Sequence, residues 1–263
     1  MFELYFLPIL IFIGLALLAG LLLSIASVFL GVKEDEKVEK IRDCLPGINC
    51  GACGYSGCDD YAKAVANGAA PNQCVPGGPS VAKQVAEIMG VEAGAIEKKA
   101  AYVHCNGNLH ATHSKYDYQG ELTCQAASKL YSGDKACIYG CLGYGDCSKI
   151  CPVEAISIQD GVAWVDEETC ISCGRCVDTC PKNLIHLKPV NKPVVVACNN
   201  PQRGKAVMNV CSNGCIGCGK CQRTCQYDAI HVENFIARID YEKCTSCGEC
   251  IEQCPVNCIH RLP

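Results

Sequence analysis

Regular spacing of cysteines constrains this chain more than any other feature. Two runs follow the pattern C-x2-C-x2-C-x3-C-P, at residues 170–181 and 244–255. A third run, at residues 215–225, has the same spacing with Gln226 in place of the proline. This spacing is typical of proteins that hold two [4Fe–4S] clusters, because three thiolates of a run bind one cluster and the fourth binds its neighbour. The chain is therefore predicted to hold a series of iron–sulfur clusters.

Cysteine makes up 26 of the 263 residues, and so many thiols have two other common uses. Disulfide scaffolds are short secreted chains, whereas this chain is long enough to form a core without disulfides. Structural zinc sites usually combine separated C-x2-C pairs around one tetrahedral ion, so four thiols in a single run before a proline favour a cubane. The formal net charge of −4 is too small to indicate a nucleic-acid partner.

The N-terminal segment, residues 1–32, is predicted to be a membrane anchor. No charged side chain occurs at residues 4–32, and residues 6–30 are almost entirely apolar, enough to cross a hydrocarbon core of about 30 Å. A cleaved signal peptide is the alternative, but the segment lacks a basic residue before it and a clear A-x-A exit. Lysine and arginine follow the span and none precedes it. This asymmetry predicts a single-pass protein of the cytoplasmic (inner) membrane, with its soluble part in the cytoplasm.

A small four-cysteine iron–sulfur module is predicted at residues 33–79. Its glycines, interleaved with the cysteines, let the backbone wrap closely around a cluster. Residues 33–43 fit a short charged linker or helix, and residues 58–66 fit a helix that ends at Asn67 and Gly68. Cys44 has no partner at a suitable spacing and is interpreted as a free or packing cysteine. The predicted ligands are Cys50, Cys53, Cys58 and Cys74.

Residues 80–130 are predicted to be a helical linker region. An amphipathic pattern begins at Ser80, and a second begins at about Glu92. The region also contains Cys105 and Cys124.

Two ferredoxin-like modules are predicted, at residues 131–190 and 191–263. In each, two cysteine runs flank a short hairpin, at residues 155–165 and 229–239. Because the fourth cysteine of each run crosses to the other cluster, the two clusters of a module lie close together. The wider spacing within residues 137–147 departs from the pattern and indicates a reshaped loop or an altered cluster. The predicted ligand sets are Cys137, Cys141, Cys147 and Cys180; Cys151, Cys170, Cys173 and Cys176; Cys215, Cys218, Cys221 and Cys254; and Cys225, Cys244, Cys247 and Cys250.

Five [4Fe–4S] clusters leave six cysteines, and four of these are placed in parallel. Cys105 and Cys124 precede the first ferredoxin-like module, and Cys198 and Cys211 precede the second. Three interpretations stay open: a sixth cluster held by these four thiolates, packing cysteines, or two separate pairs. Cys44 is the fifth, and Cys258 is interpreted as a spare. The predicted fold class is α+β, with one transmembrane helix, the four-cysteine module and two tandem bacterial-ferredoxin-like modules.

The order of these segments resembles the B subunit of the Rnf complex. The resemblance rests on the motif C-G-x-C-G-x-x-G-C-x-x-Y-A at residues 50–62 and on the run at residues 137–152, and it covers essentially the whole chain. The family implies a membrane complex that oxidises reduced ferredoxin, reduces NAD and translocates Na⁺ or H⁺. Within it, the B subunit is similar to an electron relay from soluble ferredoxin toward other subunits in the membrane. This chain has two ferredoxin modules, whereas shorter members of the family have one.

No catalytic residues are predicted in this chain. It has no glycine-rich phosphate-binding turn after a strand and no recognisable flavin or NAD site, so hydride chemistry belongs to a partner. Residues 101–170 carry 4 basic against 9 acidic side chains, and residues 171–263 carry 11 against 7. The basic C-terminal module is therefore predicted to dock acidic ferredoxin. The candidate contacts are Arg203, Lys205, Lys220, Arg223 and Lys243.

Two other functions are compatible with the same sequence. One is an iron–sulfur subunit of a related membrane complex that reduces a redox-sensing regulator. The other is a non-catalytic sensor or scaffold that carries clusters. Cluster potentials discriminate the second, because a relay from ferredoxin requires several centres of low potential.

Overall fold

The computed structural model describes residues 2–30, 35–94 and 97–262. It begins with helix α1 (Phe2–Leu30), in which the window Ile9–Ala26 has a mean hydropathy of 2.8 and contains no buried residue. The Ser24 hydroxyl donates to the Gly20 carbonyl, so this polar group is satisfied inside the helix. Among the described residues, α1 is the one helix long and apolar enough to cross a membrane.

Three helices form a small core beside the first cysteines. They are α2 (Glu36–Cys44), α3 (Cys58–Ala66) and α4 (Gly78–Met89). The Asp35 carboxylate accepts a hydrogen bond from the Lys37 amide and caps α2. Ile41 of α2, Val65 of α3 and Val85 of α4 are completely buried against one another. The helix predicted at residues 58–66 is therefore confirmed with the same bounds.

The predicted helical linker region contains a strand. After α4 come strand β1 (Lys99–Val103) and the short helix α5 (Cys124–Lys129). The second helix, predicted from about Glu92, is wrong: residues 91–94 and 97–98 are not helical, and residues 95–96 lie outside the described residues. Ala100 and Ala101 are buried in β1, which pairs with a strand more than 80 residues later in the chain. This long-range pairing overrides the local helical preference.

Both ferredoxin-like modules share one architecture. The first contains α6 (Asp146–Ile150), β2 (Ile156–Gln159), β3 (Val162–Val165), α7 (Arg175–Thr179) and β4 (Ile185–Pro189). The second contains β5 (Val194–Val196), α8 (Gly204–Val210), α9 (Lys220–Thr224), β6 (Ile230–Glu233), β7 (Ile236–Ile239), α10 (Glu249–Glu252) and β8 (Ile259–Arg261).

Each module has an antiparallel hairpin, β2–β3 or β6–β7, as the sequence predicted, and a second antiparallel pair, β1–β4 or β5–β8. The hairpin turns place two consecutive residues at positive φ: Asp160 (46°) and Gly161 (75°), and Asn234 (49°) and Phe235 (63°). Tight turns of this backbone form match the right-handed twist of the paired strands.

Residues 104–112 join the two ferredoxin-like modules. The Asn106 amide donates to the Ala197 carbonyl at 2.9 Å, and the Thr112 hydroxyl donates to the Val210 carbonyl at 2.7 Å. The buried Tyr102 hydroxyl lies 2.5 Å from His104 Nε2, and the Tyr102 ring meets Tyr241 edge-on at 6.2 Å between ring centroids. The segment that carries Cys105 is therefore fixed at the boundary between the modules.

Candidate iron–sulfur sites

The first cysteine set surrounds the loop that precedes α3. The Asn49 side-chain oxygen accepts a hydrogen bond of 2.8 Å from the Cys58 amide and so closes this loop. Burial raises the pKa of Cys74, and the neighbouring thiolates of Cys58 and Cys53 raise it further. Cys44 packs, half-buried, against the same core. We call this group, brought together as predicted, set I: Cys50, Cys53, Cys58 and Cys74.

A second predicted set is assembled around α7 of the first ferredoxin-like module. Burial raises the pKa of Cys176 to about 12, and the thiolates of Cys170, Cys173 and Cys151 contribute. The Ala101 amide of β1 points at Cys170 Sγ, 3.5 Å away. This group is set II: Cys151, Cys170, Cys173 and Cys176.

The next eight cysteines form two groups of four. These groups match the sequence prediction except that Cys124 and Cys137 have exchanged places. Cys124, at the start of α5, lines a cavity with Cys141, Cys147 and Cys180. Burial raises the pKa of Cys147 to about 12, and its nearest thiolate neighbours include Cys141 and Cys124. Cys137, which the sequence assigned to this group, lines a different cavity. We call the group set III: Cys124, Cys141, Cys147 and Cys180.

Cys137 lies with three of the cysteines that the sequence left without an assigned cluster. These four cysteines line one cavity at the boundary between the modules, and Cys141 also contributes to its wall. A Cβ atom on Gly107 would lie 3.5 Å from Cys105 Sγ and 3.5 Å from Cys211 Sγ, so these two thiols converge on that glycine. The buried Asn200 amide approaches Cys137 Sγ at 3.6 Å. This group is set IV: Cys105, Cys137, Cys198 and Cys211.

The path of the chain explains why Cys124 and Cys137 exchange places. The Ala136 amide donates to the His113 carbonyl, and the Lys115 amide donates to the Asp134 carbonyl, so the chain doubles back before Cys137. Cys137 then lines a cavity with Cys105 and Cys211, while Cys124 at the start of α5 lines the cavity of Cys147 and Cys180. The wide spacing at residues 137–147 was the one sequence signal of this arrangement.

The second ferredoxin-like module contains the two remaining predicted groups, each lining its own cavity. Set V is Cys215, Cys218, Cys221 and Cys254, and set VI is Cys225, Cys244, Cys247 and Cys250.

Cys258, interpreted from the sequence as a spare, also lies on the wall of the set V cavity. It is 1% exposed, and its Sγ lies 3.6 Å from Cys254 Sγ. A hydrogen bond from this thiol lowers the pKa of Cys254 to about 5.

These thiols surround open spaces and do not converge on a point. Among the described residues, no three cysteine, histidine or carboxylate side chains are close enough to hold one metal ion. A single zinc ion needs four ligands at about 2.0–2.3 Å, whereas a cubane is a larger body whose four irons each take one thiolate. Sets III to VI each line a cavity with four cysteines or more, and four thiolates around one space are the ligand set that a cubane needs.

Family models match most of the soluble part of the chain. A model described as a putative Fe-S cluster matches residues 45–76, and two 4Fe-4S dicluster models match residues 169–229 and 208–261. The LdpA Fe-S cluster-binding domain matches residues 137–191. Domains of the 4Fe-4S dicluster type therefore cover residues 169–261.

Three curated relatives are similar over almost the entire chain. The B subunit of the Na⁺-translocating ferredoxin:NAD⁺ oxidoreductase complex of Acetobacterium woodii is 47% identical over 229 residues, which cover 86% of this chain and 69% of the relative. The B subunit of the proton-translocating complex of Clostridium ljungdahlii is 40% identical over 86% of this chain and 81% of its own length. The B subunit of an ion-translocating oxidoreductase of Methanosarcina acetivorans is 40% identical over 88% of each chain.

The chain belongs to the B-subunit family of ion-translocating ferredoxin:NAD oxidoreductase (Rnf) complexes. The resemblance inferred from the sequence is confirmed. Together with α1, membership of this family indicates association with a membrane.

In this family member, the six sets follow one another in space. The Cys50 thiolate of set I contributes to the raised pKa of Cys173 in set II, and the Arg175 guanidinium donates to the Ile48 carbonyl at 3.0 Å between them. The Cys176 thiolate of set II likewise contributes to the raised pKa of Cys147 in set III.

The second half of the series continues without a gap. The Cys141 amide of set III donates to Cys105 Sγ of set IV at 3.3 Å. Burial raises the pKa of Cys198 in set IV to about 12, and the Cys215 thiolate of set V contributes. The Cys221 thiolate of set V in turn contributes to the raised pKa of Cys250 in set VI. Each set therefore has a neighbour within electrostatic range, from set I to set VI.

The end of this series is the most accessible part. Of the 26 cysteines, all of which the structure describes, only Cys218 of set V and Cys247 of set VI are exposed. Phe235 packs on Gly217, next to Cys218, and the Arg203 guanidinium lies over its ring at 5.1 Å. The five basic residues predicted as docking contacts lie on this module with them. Accessible cysteines and positive charge therefore occur on the same module.

Proposed function

We propose that this chain is the membrane-anchored electron relay of an ion-translocating ferredoxin:NAD oxidoreductase complex. It accepts electrons from reduced ferredoxin at the second ferredoxin-like module and passes them through the first module to the four-cysteine module. Other subunits of the complex take them from there, and hydride chemistry belongs to those partners. The observation that supports this most strongly is the unbroken series from set I to set VI.

We assign a [4Fe–4S] cluster to each of the six sets. When bound, such clusters would accept and release single electrons at potentials between about −700 and +450 mV. The chain's own residues hold the thiolates and stabilise charge on sulfur through N–H donors. These donors include the Ala229 amide at 3.4 Å from Cys225 Sγ and the Ser246 amide at 3.4 Å from Cys244 Sγ.

We also infer the extents of the segments. The anchor at residues 1–32 and the four-cysteine module at residues 33–79 keep their predicted bounds. The first ferredoxin-like module extends beyond residues 131–190, because β1 pairs with β4 and Cys124 lines its cavity. The second occupies residues 191–263, since β5 pairs with β8. Basic residues after the apolar span favour a cytoplasmic location for all of these modules.

Ferredoxin docking at the second module is tested by the salt dependence of electron transfer. The rate at which reduced ferredoxin reduces the anaerobic full-length protein is measured by stopped flow at increasing ionic strength. Steering by opposite charges accelerates association by about 10-fold or more at low salt, so the rate should fall as salt rises. Arg203→Glu and Lys243→Glu should lower the rate at low salt and flatten its salt dependence.

Lys149→Glu is the matched control, because Lys149 is an exposed lysine of the acidic first module. It should leave the rate close to that of the unaltered protein. A rate that is indifferent to salt, or a control that slows reduction as strongly as the two test variants, would contradict docking at this surface.

A further inference from the structure

Lys135 is a buried lysine without a carboxylate partner. Lys135 and Lys188 are the two buried lysines of the described chain, 5% and 0% exposed. Lys188 Nζ lies 2.7 Å from the Glu167 carboxylate. Lys135 Nζ donates to the Gly161 carbonyl at 2.5 Å, and no carboxylate of the described residues lies within 4.0 Å of it. A buried ammonium ion is costly unless a counter-charge lies nearby, so the surroundings of Lys135 should supply one.

The counter-charge available to Lys135 is the ring of thiolates of set IV. Lys135 lines the same cavity as Cys105, Cys137, Cys198 and Cys211. Cys105 and Cys211, whose sulfur atoms converge on Gly107, belong to this same wall. The charge of Lys135 therefore acts on the thiolates of this set from within the cavity wall.

The hairpin of the first module fixes this ammonium in place. Gly161 has a φ of 75° in the β2–β3 turn, and a Cβ atom there would lie 3.4 Å from Lys135 Nζ. Lys135 also forms an isolated β-bridge with Ser114. The turn glycine thus leaves room for the ammonium to reach its carbonyl acceptor, and the bridge holds the backbone of Lys135.

We propose that Lys135 sets the reduction potential of the set IV cluster, at the boundary between the two ferredoxin-like modules. Four thiolates give a bound cubane a net negative charge, which grows by one when it takes up an electron. A fixed positive charge in a buried, low-dielectric wall favours the reduced form and raises the potential. Lys135 therefore draws electrons across the boundary between the modules. This inference rests on the proposed occupation of set IV.

The test removes the charge while keeping most of the side-chain volume. Lys135→Met is compared with Lys135→Arg, which keeps the charge, and with Lys149→Met, which removes a charge from an exposed position. Each full-length protein is purified anaerobically, its iron and sulfide are measured, and its clusters are titrated by EPR at controlled potentials. The unaltered protein should contain about 24 irons, from six cubanes.

Lys135→Met should shift the midpoint of one cluster to a more negative potential and leave the others unchanged. Lys135→Arg and Lys149→Met should behave like the unaltered protein. Loss of about four irons in Lys135→Met but not in Lys135→Arg would also support the counter-charge role. Unchanged midpoints at full iron content, or equal effects of Met and Arg at position 135, would overturn it. About 20 irons in the unaltered protein, with set IV empty, would instead contradict the proposed function.

Discussion

At the scale of single residues, Cys137 and Cys124 decide how the clusters of the first ferredoxin-like module are held. The thiol of Cys137 shares a cavity with Cys105 and Cys211, while that of Cys124 shares one with Cys147. Loss of one cysteine ligand from a cubane site prevents binding of the whole cluster. A second substitution in the same set therefore lowers the iron content little further. Substitutions in different sets should act independently.

Paired substitutions therefore distinguish the two groupings of Cys137. In a Cys137→Ser background, Cys105→Ser should remove little further iron, because both residues belong to set IV. Cys147→Ser in the same background should remove about four more irons, because it empties set III. Iron and sulfide per chain, measured after anaerobic purification, check both outcomes. The reverse result, in which Cys105→Ser removes more iron and Cys147→Ser does not, would support the grouping predicted from the sequence.

At the scale of elements, short-range residue patterns predicted the helix and the hairpins that are formed by neighbouring residues. The α3 helix begins and ends where the residue pattern predicted, and both hairpins form within their predicted ranges around tight turns. The pairs β1–β4 and β5–β8 were missed, because strands such as Lys99–Val103 meet partners far away in the chain. Cys137 lines a different cavity from the one predicted for it, because its placement depends on a reversal of the chain at residues 113–136.

Glycines of the cluster loops give a prediction at this scale. Gly143, between Cys141 and Cys147, has a φ of 82°, and an added Cβ would overlap the Gly161 carbonyl oxygen. Gly174 of the set II loop has a φ of 77° with nothing within 4 Å of an added Cβ. Gly174→Ala should therefore cost only the backbone strain of about 1–2 kcal/mol. Gly143→Ala should cost more, because the β2–β3 turn must also move.

Loss of the visible iron–sulfur absorbance on heating measures this difference. Gly143→Ala should lose absorbance at a lower temperature than Gly174→Ala, which should lie slightly below the unaltered protein. Equal stability of the two variants would mean that the Cys141 loop does not depend on its contact with the turn.

At the scale of the whole molecule, the chain combines an apolar helix at one end of the sequence with two accessible cluster loops at the other, of which the Cys218 loop is followed by Lys220 and Arg223. Between them, set IV takes Cys105 and Cys137 from the first ferredoxin-like module and Cys198 and Cys211 from the second, so it joins the two modules. Without it, the series would break between sets III and V. A relay through the full length of the chain therefore depends on occupation of all six sets.

The most direct test is the number of irons and electrons that one chain holds. Full-length protein is purified anaerobically, its iron, sulfide and zinc are measured, and it is titrated with reduced ferredoxin while EPR signals are recorded. We expect about 24 irons and about six one-electron equivalents per chain, from six cubanes. A chain with few irons and stoichiometric zinc would contradict the electron relay. Clusters that stay oxidised after reduced ferredoxin is added would contradict it as well.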